Sequence, residues 1–101
     1  MIKQIWKFPL QRNGDIEMPK GAEILCVQEI GELPYMYALV DPNAEKEKRE
    51  YKVFATGQDI ETEKEVQQEL VNATYKIDMR YIGTFKLFRG NLVYHVFEIL
   101  K

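Results

Sequence analysis

His95 is the only histidine among 101 residues, and it falls in the run Val93-Tyr94-His95-Val96-Phe97-Glu98. An imidazole can hydrogen-bond a ligand, relay a proton or bind a metal. Metal binding needs partners at ligand spacing, such as His-x-x-x-His, and none accompanies His95 in the sequence. His95 therefore reads either as a partly exposed strand residue or as a hydrogen-bonding contact to a ligand. Glu98 also reads two ways, as a solvated edge carboxylate or as the lining of a small polar site. Thr56-Gly57-Gln58-Asp59 is the best loop candidate, because it follows a strand, holds a flexible glycine and offers exposed backbone N–H groups. It can equally be a plain strand-to-helix connection. Neither Gly-x-x-x-x-Gly-Lys nor Gly-x-Gly-x-x-Gly occurs, so it is not a phosphate loop. Thr56, Gly57, Gln58, His95 and Glu98 form the candidate ligand-binding set.

Covalent chemistry has little to work with. The chain holds no serine, which removes serine nucleophiles. Cys26 sits in the apolar stretch Ile24-Leu25-Cys26-Val27, where a free cysteine behaves as a small hydrophobe. No cationic sequence neighbour would lower its pKa. The expectation is a protein that is not an enzyme, with no catalytic residues, no metal and no cofactor.

Aromatic residues are the other resource: Trp6, six tyrosines and five phenylalanines. Tyrosine-rich strand faces can be core, but tyrosine is also enriched in interfaces. A short chain cannot bury every ring, so self-association is expected, with Trp6 and Phe8 of the N-terminal strand as the contact. A net charge of −2 opposes a nucleic-acid role, which usually needs a clustered basic face. No apolar run approaches the roughly 20 residues that span a bilayer. The N-terminus lacks a signal-peptide pattern, and a lone cysteine forms no internal disulfide. These features point to a cytoplasmic protein folded as a single domain over 1–101.

The elements that must position these groups are mostly strands. Tyr81–Leu87 and Leu92–Ile99 alternate with period two around Arg89-Gly90-Asn91, a hairpin signature. With Gly90-Asn91 as a two-residue turn, His95 lies opposite Lys86 and Glu98 opposite Gly83. Phe85, Leu87, Tyr94 and Val96 then share the buried face, and Thr84, Lys86 and His95 the other. Ile24–Ile30 and Tyr35–Val40 form a second hairpin around Gly31-Glu32. Ile2, Gln4, Trp6 and Phe8 share one face of an N-terminal strand. Asn13-Gly14 marks a turn, and Ile16 with Met18 a brief extended piece. Glu45–Glu50 reads as a solvated loop and strand start, and Tyr51–Ala55 as a strand. Thr62 and Glu65 fit a capping box, and Val66, Leu70 and Ala73 recur at helical spacing. They predict a short amphipathic helix over 62–72 packed on a sheet. The run Tyr75–Leu87 is too long for one straight strand and must bend, at Gly83 or near Asp78–Arg80. The fold expected is mostly β with one helix (α+β), an antiparallel sheet or small sandwich built from hairpins.

Five separated blocks occur in order: Met18–Leu25, Ala38–Pro42, Thr56-Gly57, Tyr81–Phe85 and Val93–Glu98. Together they resemble a family of small proteins encoded by tailed phages and prophages. The resemblance covers most of the chain except about 59–80, where this sequence is the longer. Those relatives tend to carry His after the Thr-Gly pair, whereas this chain has Gln58, which counts against a two-histidine site. The resemblance implies a setting, the cytoplasm of an infected or lysogenic bacterium, without a mechanism. The expected function is a non-enzymatic phage accessory protein that binds a host or phage macromolecule as a homo-oligomer. The alternative is a small-ligand binder that sequesters a nucleotide defence signal, since stacking adds roughly 1–3 kcal/mol per base. A concave pocket joining aromatics to Arg or Lys would favour the ligand. A flat aromatic face would favour the macromolecule.

Overall fold

The computed structural model describes residues 1–11, 13–68 and 71–100, with backbone alone for 13, 66–68, 71 and 72. Among them are nine strands in three antiparallel sheets and no helix. Strand β1 (Gln4–Pro9) pairs with β4 (Leu33–Val40), which pairs with β3 (Glu23–Ile30). The larger sheet runs β2 (Asn13–Pro19), β5 (Lys46–Ala55), β9 (Leu92–Ile99), β8 (Met79–Leu87). A third sheet is the two-stranded ribbon β6 (Glu63–Gln68) and β7 (Val71–Lys76).

Alternation along the strands builds the core. Val27, Met36, Ala38 and Val40 of the first sheet are buried with Met18, Tyr51, Val53, Phe85 and Val96 of the second. Two half-apolar sheets have buried their inner faces against each other, a small sandwich. Val27 and Gly83 mark where edge strands β3 and β8 come close. A Cβ built on Gly83 would lie 3.2 Å from Val27 Cγ2. Gly83 also ends a register shift on β8, where Tyr81 pairs with Phe97 and Gly83 with Val96, so Ile82 is the extra residue. The long run from Tyr75 thus bends here and breaks between Lys76 and Met79.

The helix expected over 62–72 is not formed: residues 63–68 and 71–72 are strand, paired from Glu63↔Lys76 to Gln68↔Val71. Leu70, one residue of the proposed apolar stripe, lies outside the described residues. The reason is energetic. Eleven residues make a marginal helix in water unless one face docks. Here Ala73, Thr74 and Tyr75 are exposed, so nothing rewards the helical stripe. The ribbon stands off the sandwich, and the radius of gyration, 16.0 Å, exceeds the ~13 Å typical of such a chain.

Two hairpins differ in their turns. Gly31-Glu32 is the expected two-residue corner, with Ile30 facing Leu33 and φ of 56° and 68°. The β8–β9 turn instead spans Phe88–Asn91, with Leu87 facing Leu92. His95 therefore sits opposite Thr84 rather than Lys86, and Glu98 opposite Arg80 rather than Gly83. The Thr84–Leu87 part of the register is two residues from the expected one. An even slip leaves every side chain on its face. The hairpin's inner and outer sets survive unchanged.

Smaller differences follow the same logic. Strand β3 carries a bulge at Leu25, between Ile24 and Cys26. Asn13 and Gly14 belong to β2, opposite Lys52 and Tyr51, rather than to a turn. The charged stretch from Lys46 is strand throughout, because every second side chain can remain in solvent while β2 and β9 pair on either side.

Candidate functional site

The outer face of the four-stranded sheet gathers the sequence candidates. Register places Phe54, His95 and Thr84 in one row across β5, β9 and β8, and Lys52, Phe97 and Tyr81 in the next. Thr56 follows β5 at the end of the third row, donating its N–H to the Val93 carbonyl at 3.0 Å. Val93 in turn pairs with Lys86. Imidazole, three hydroxyls, three rings (one of them the Tyr81 phenol) and two ammonium groups thus share one surface.

His95 is the hub. Its Nε2 lies 2.7 Å from Thr56 Oγ1 and its Nδ1 3.0 Å from Thr84 Oγ1. Thr84 Oγ1 is also bonded to the Tyr81 hydroxyl. One arrangement satisfies the whole chain: Tyr81 donates to Thr84, Thr84 to Nδ1, and Nε2–H to Thr56. Hydroxyls donate and accept, so the opposite imidazole tautomer fits too. Phe97 packs edge-on against Phe54 at 5.9 Å and Tyr81 at 5.6 Å. Edge-to-face packing at these distances fixes ring orientation. Tyr81 remains 56% exposed, so the face is built and reachable from solvent.

Thr56 and His95, paired only by type in the sequence, are therefore in contact. Gly57 and Gln58 are neighbours with a structural task. Gly57 adopts φ +87°. The Gln58 N–H donates to the Ala55 carbonyl at 3.1 Å, while its side-chain oxygen accepts from Ala55 N–H at 3.0 Å. Its amide oxygen is spent on closing the turn. Alternation along the hairpin already puts Thr84 on the His95 face, whereas Tyr81 and Phe54 reach it only through the strand pairing. Their signal is the register itself, which a single strand's pattern does not contain.

Glu98 does not join this face. It points into the sandwich, where its oxygens accept from Arg49 Nε at 2.6 Å and Nη2 at 2.9 Å. Arg49 Nη1 donates to the Ala22 carbonyl at 2.6 Å. The hydrogen bond to Glu98 raises the Arg49 pKa still further. Glu98 lines a shallow polar cavity of about 270 Å³ with Arg49, Glu47 and Lys48, but both of its oxygens are already committed to the ion pair. Trp6 and Phe8 are half-buried and packed against the core from edge strand β1. Among the described residues, no three His, Cys, Asp or Glu side chains gather as a metal site.

Beside the aromatic face, the segment entering the ribbon folds back over the sheet. Lys52, Phe54, Asp59, Glu61, Ile77 and Met79 line a cavity of about 200 Å³. It continues into a wider groove of about 590 Å³ that adds Lys64, Tyr75 and Lys76, with Glu50 and Asp78. The groove's charges balance, with three lysines facing three carboxylates.

The match to a known family covers residues 1–100, nearly the full chain, and that family is described as a domain of unknown function, DUF7352. The chain belongs to the DUF7352 family. No curated protein and no solved structure matches it. For this DUF7352 protein, function must be argued from its own surface.

Proposed function

We propose that this DUF7352 protein is a non-enzymatic accessory protein of a tailed phage or prophage that binds a host or phage macromolecule. The contact surface is the outer face of β5, β9 and β8. The observation that carries the reading is the set of His95, Thr56, Thr84 and Tyr81 on a solvent-reachable sheet face bearing Phe54 and Phe97. Flat aromatic surfaces with ordered polar groups suit a broad partner better than a small molecule, which is usually enclosed. The adjacent groove supports the same reading. It joins Tyr75 and Phe54 to lysines, as a nucleotide site would, but Glu61, Asp59 and Asp78 oppose a phosphate there. Mixed charge suits a polypeptide.

The test is recovery of partners from infected cells with wild-type protein and with Tyr81→Ala and Lys86→Glu, both at exposed positions. Captured protein and small molecules are then identified by mass spectrometry. One macromolecule should be retained by the wild type, rebind when purified, and be lost on both variants. Equal capture by the variants would sink the assignment of this face, and a co-purifying nucleotide would favour the sequestration reading. Self-association belongs to the same proposal. It would use the outer face of the three-stranded sheet, where Ile5, opposite Leu39, is 62% exposed. A sedimentation mass of 11.9 kDa at tens of micromolar protein would refute it.

A further inference from the structure

We propose that the open end of the sandwich is a second binding site, for an uncharged, flat apolar molecule of one or two rings. It is separate from the outer face of β9, and neither site depends on the other. Val53, Phe85, Leu87 and Tyr94 of the larger sheet form one wall of a cavity of about 300 Å³. Leu10 and Pro34 line it from the β1–β4 side, with Gln11 exposed at the rim.

The cavity opens into the core itself, since Leu10, Val53 and Phe85 are members of the buried cluster. Protein interiors are close-packed, and voids larger than a water molecule are few. The chemistry of the lining selects the occupant. Among the described residues no charged side chain lines it, so a phosphate, carboxylate or ammonium would lose hydration without gaining a partner from them. The polar side-chain groups are the Gln11 amide and the Tyr94 hydroxyl. Size narrows the class further. A cavity of ~150 Å³ takes benzene, and ligand pockets begin near ~300 Å³. Phe85 and Tyr94 supply a flat wall, stacked with centroids 5.3 Å apart and planes 22° apart.

The mouth is preformed. The Leu10 N–H donates to the Pro34 carbonyl at 3.0 Å. The Phe88 N–H donates to Glu32 Oε2 at 2.6 Å, tying the tip of the β8–β9 hairpin to that of β3–β4. Phe88 and Arg89 are held at φ +51° and +55°, a region bulky residues avoid. Such conformations persist where surrounding contacts over-determine them. Phe88 is 59% exposed and Leu92 lies opposite Leu87, so apolar surface continues from Leu87 to the hairpin tip.

Methyl NMR with indole and toluene as probes tests the site on the full chain. Both should move the Leu10, Val53 and Leu87 methyl signals saturably while leaving Val93, on the outer face, in place. Leu87→Trp, which fills the cavity from within, should abolish the shifts. Should that variant fail to fold, Gln11→Ala at the exposed rim decides. It should weaken indole about 3-fold or more, as loss of one hydrogen bond does, and leave toluene unchanged. Absence of saturable shifts from both probes would overturn the proposal, as would parallel movement of Val93. Binding of N-acetylphenylalanine amide with no response to either free ring would assign the site to a protein side chain and overturn it as well.

Discussion

Removing Glu98 should destabilise the sandwich far more than any surface carboxylate would. Arg49 and Glu98 are 14% and 6% exposed, and their two parallel hydrogen bonds engage both carboxylate oxygens. In Glu98→Ala the guanidinium stays charged, because arginine is a strong base even without the Glu98 hydrogen bond that raises its pKa in the wild type. Its remaining acceptor is the Ala22 carbonyl. Breaking a buried pair from one side costs about 3–5 kcal/mol. With a urea m-value of roughly 1.5 kcal/mol/M, the unfolding midpoint falls by about 2–3 M. Glu98→Gln keeps the shape and one acceptor, so the loss is about 1.5–3 kcal/mol, the difference a charged acceptor makes. The double variant Arg49→Met/Glu98→Leu removes both charges and should recover most of the loss, because apolar replacements of buried pairs are often neutral. Urea unfolding of the four proteins compares these losses directly. A Glu98→Gln midpoint equal to wild type, or a double variant no more stable than Glu98→Ala, refutes the reasoning.

Other outcomes follow from the core. Burial holds the Tyr51 pKa well above its ordinary 10.0, so the folded state favours the neutral phenol. Its contribution is complete below pH 10 and falls as pH rises above it, by about 1.4 kcal/mol at pH 11. Tyr51→Phe should flatten that decline between pH 9 and 11 in urea titrations, and an unchanged slope would refute it. Gly83→Ala places a methyl 3.2 Å from the stiff Val27 side chain. Overpacking outweighs the backbone gain of roughly 0.5–1 kcal/mol, so the protein should lose about 1 kcal/mol, and a raised thermal midpoint would show that Val27 yields. Phe85→Ala should cost about 3–5 kcal/mol, and near-native stability would contradict its place in the core.

What the sequence disclosed about this fold was local. Period two identified both long hairpins, and the Phe85–Tyr94 face held because the turn error was even. Thr56 and His95 could be nominated as polar residues on strands, but their contact depends on β5 lying beside β9, a pairing 39 residues apart that no local pattern encodes. The same limit hid the Arg49–Glu98 pair. A run such as Glu45–Glu50 looks solvated, yet one of its cations points inward because the strand alternates. The region 62–72 misled for a different reason. Thr62, Glu65 and Val66 satisfy helix rules, but propensity is a weak prior and cross-strand pairing overrode it.

The Ile77 N–H donates to the Thr62 carbonyl at 2.8 Å, one bond that closes the neck of the β6–β7 ribbon. The chain therefore departs from the sandwich and returns to it at a single point. Strand pairing beyond that neck is internal to the excursion, and loop closure grows only with the logarithm of length. Changing the segment past the neck leaves the β5–β9 and β8–β9 ladders with all their own partners and alters only the Lys64, Tyr75 and Lys76 side of the groove. Evolution then has a mounting point: new sequence can be carried beside the aromatic face while the scaffold that shapes that face stays as it is.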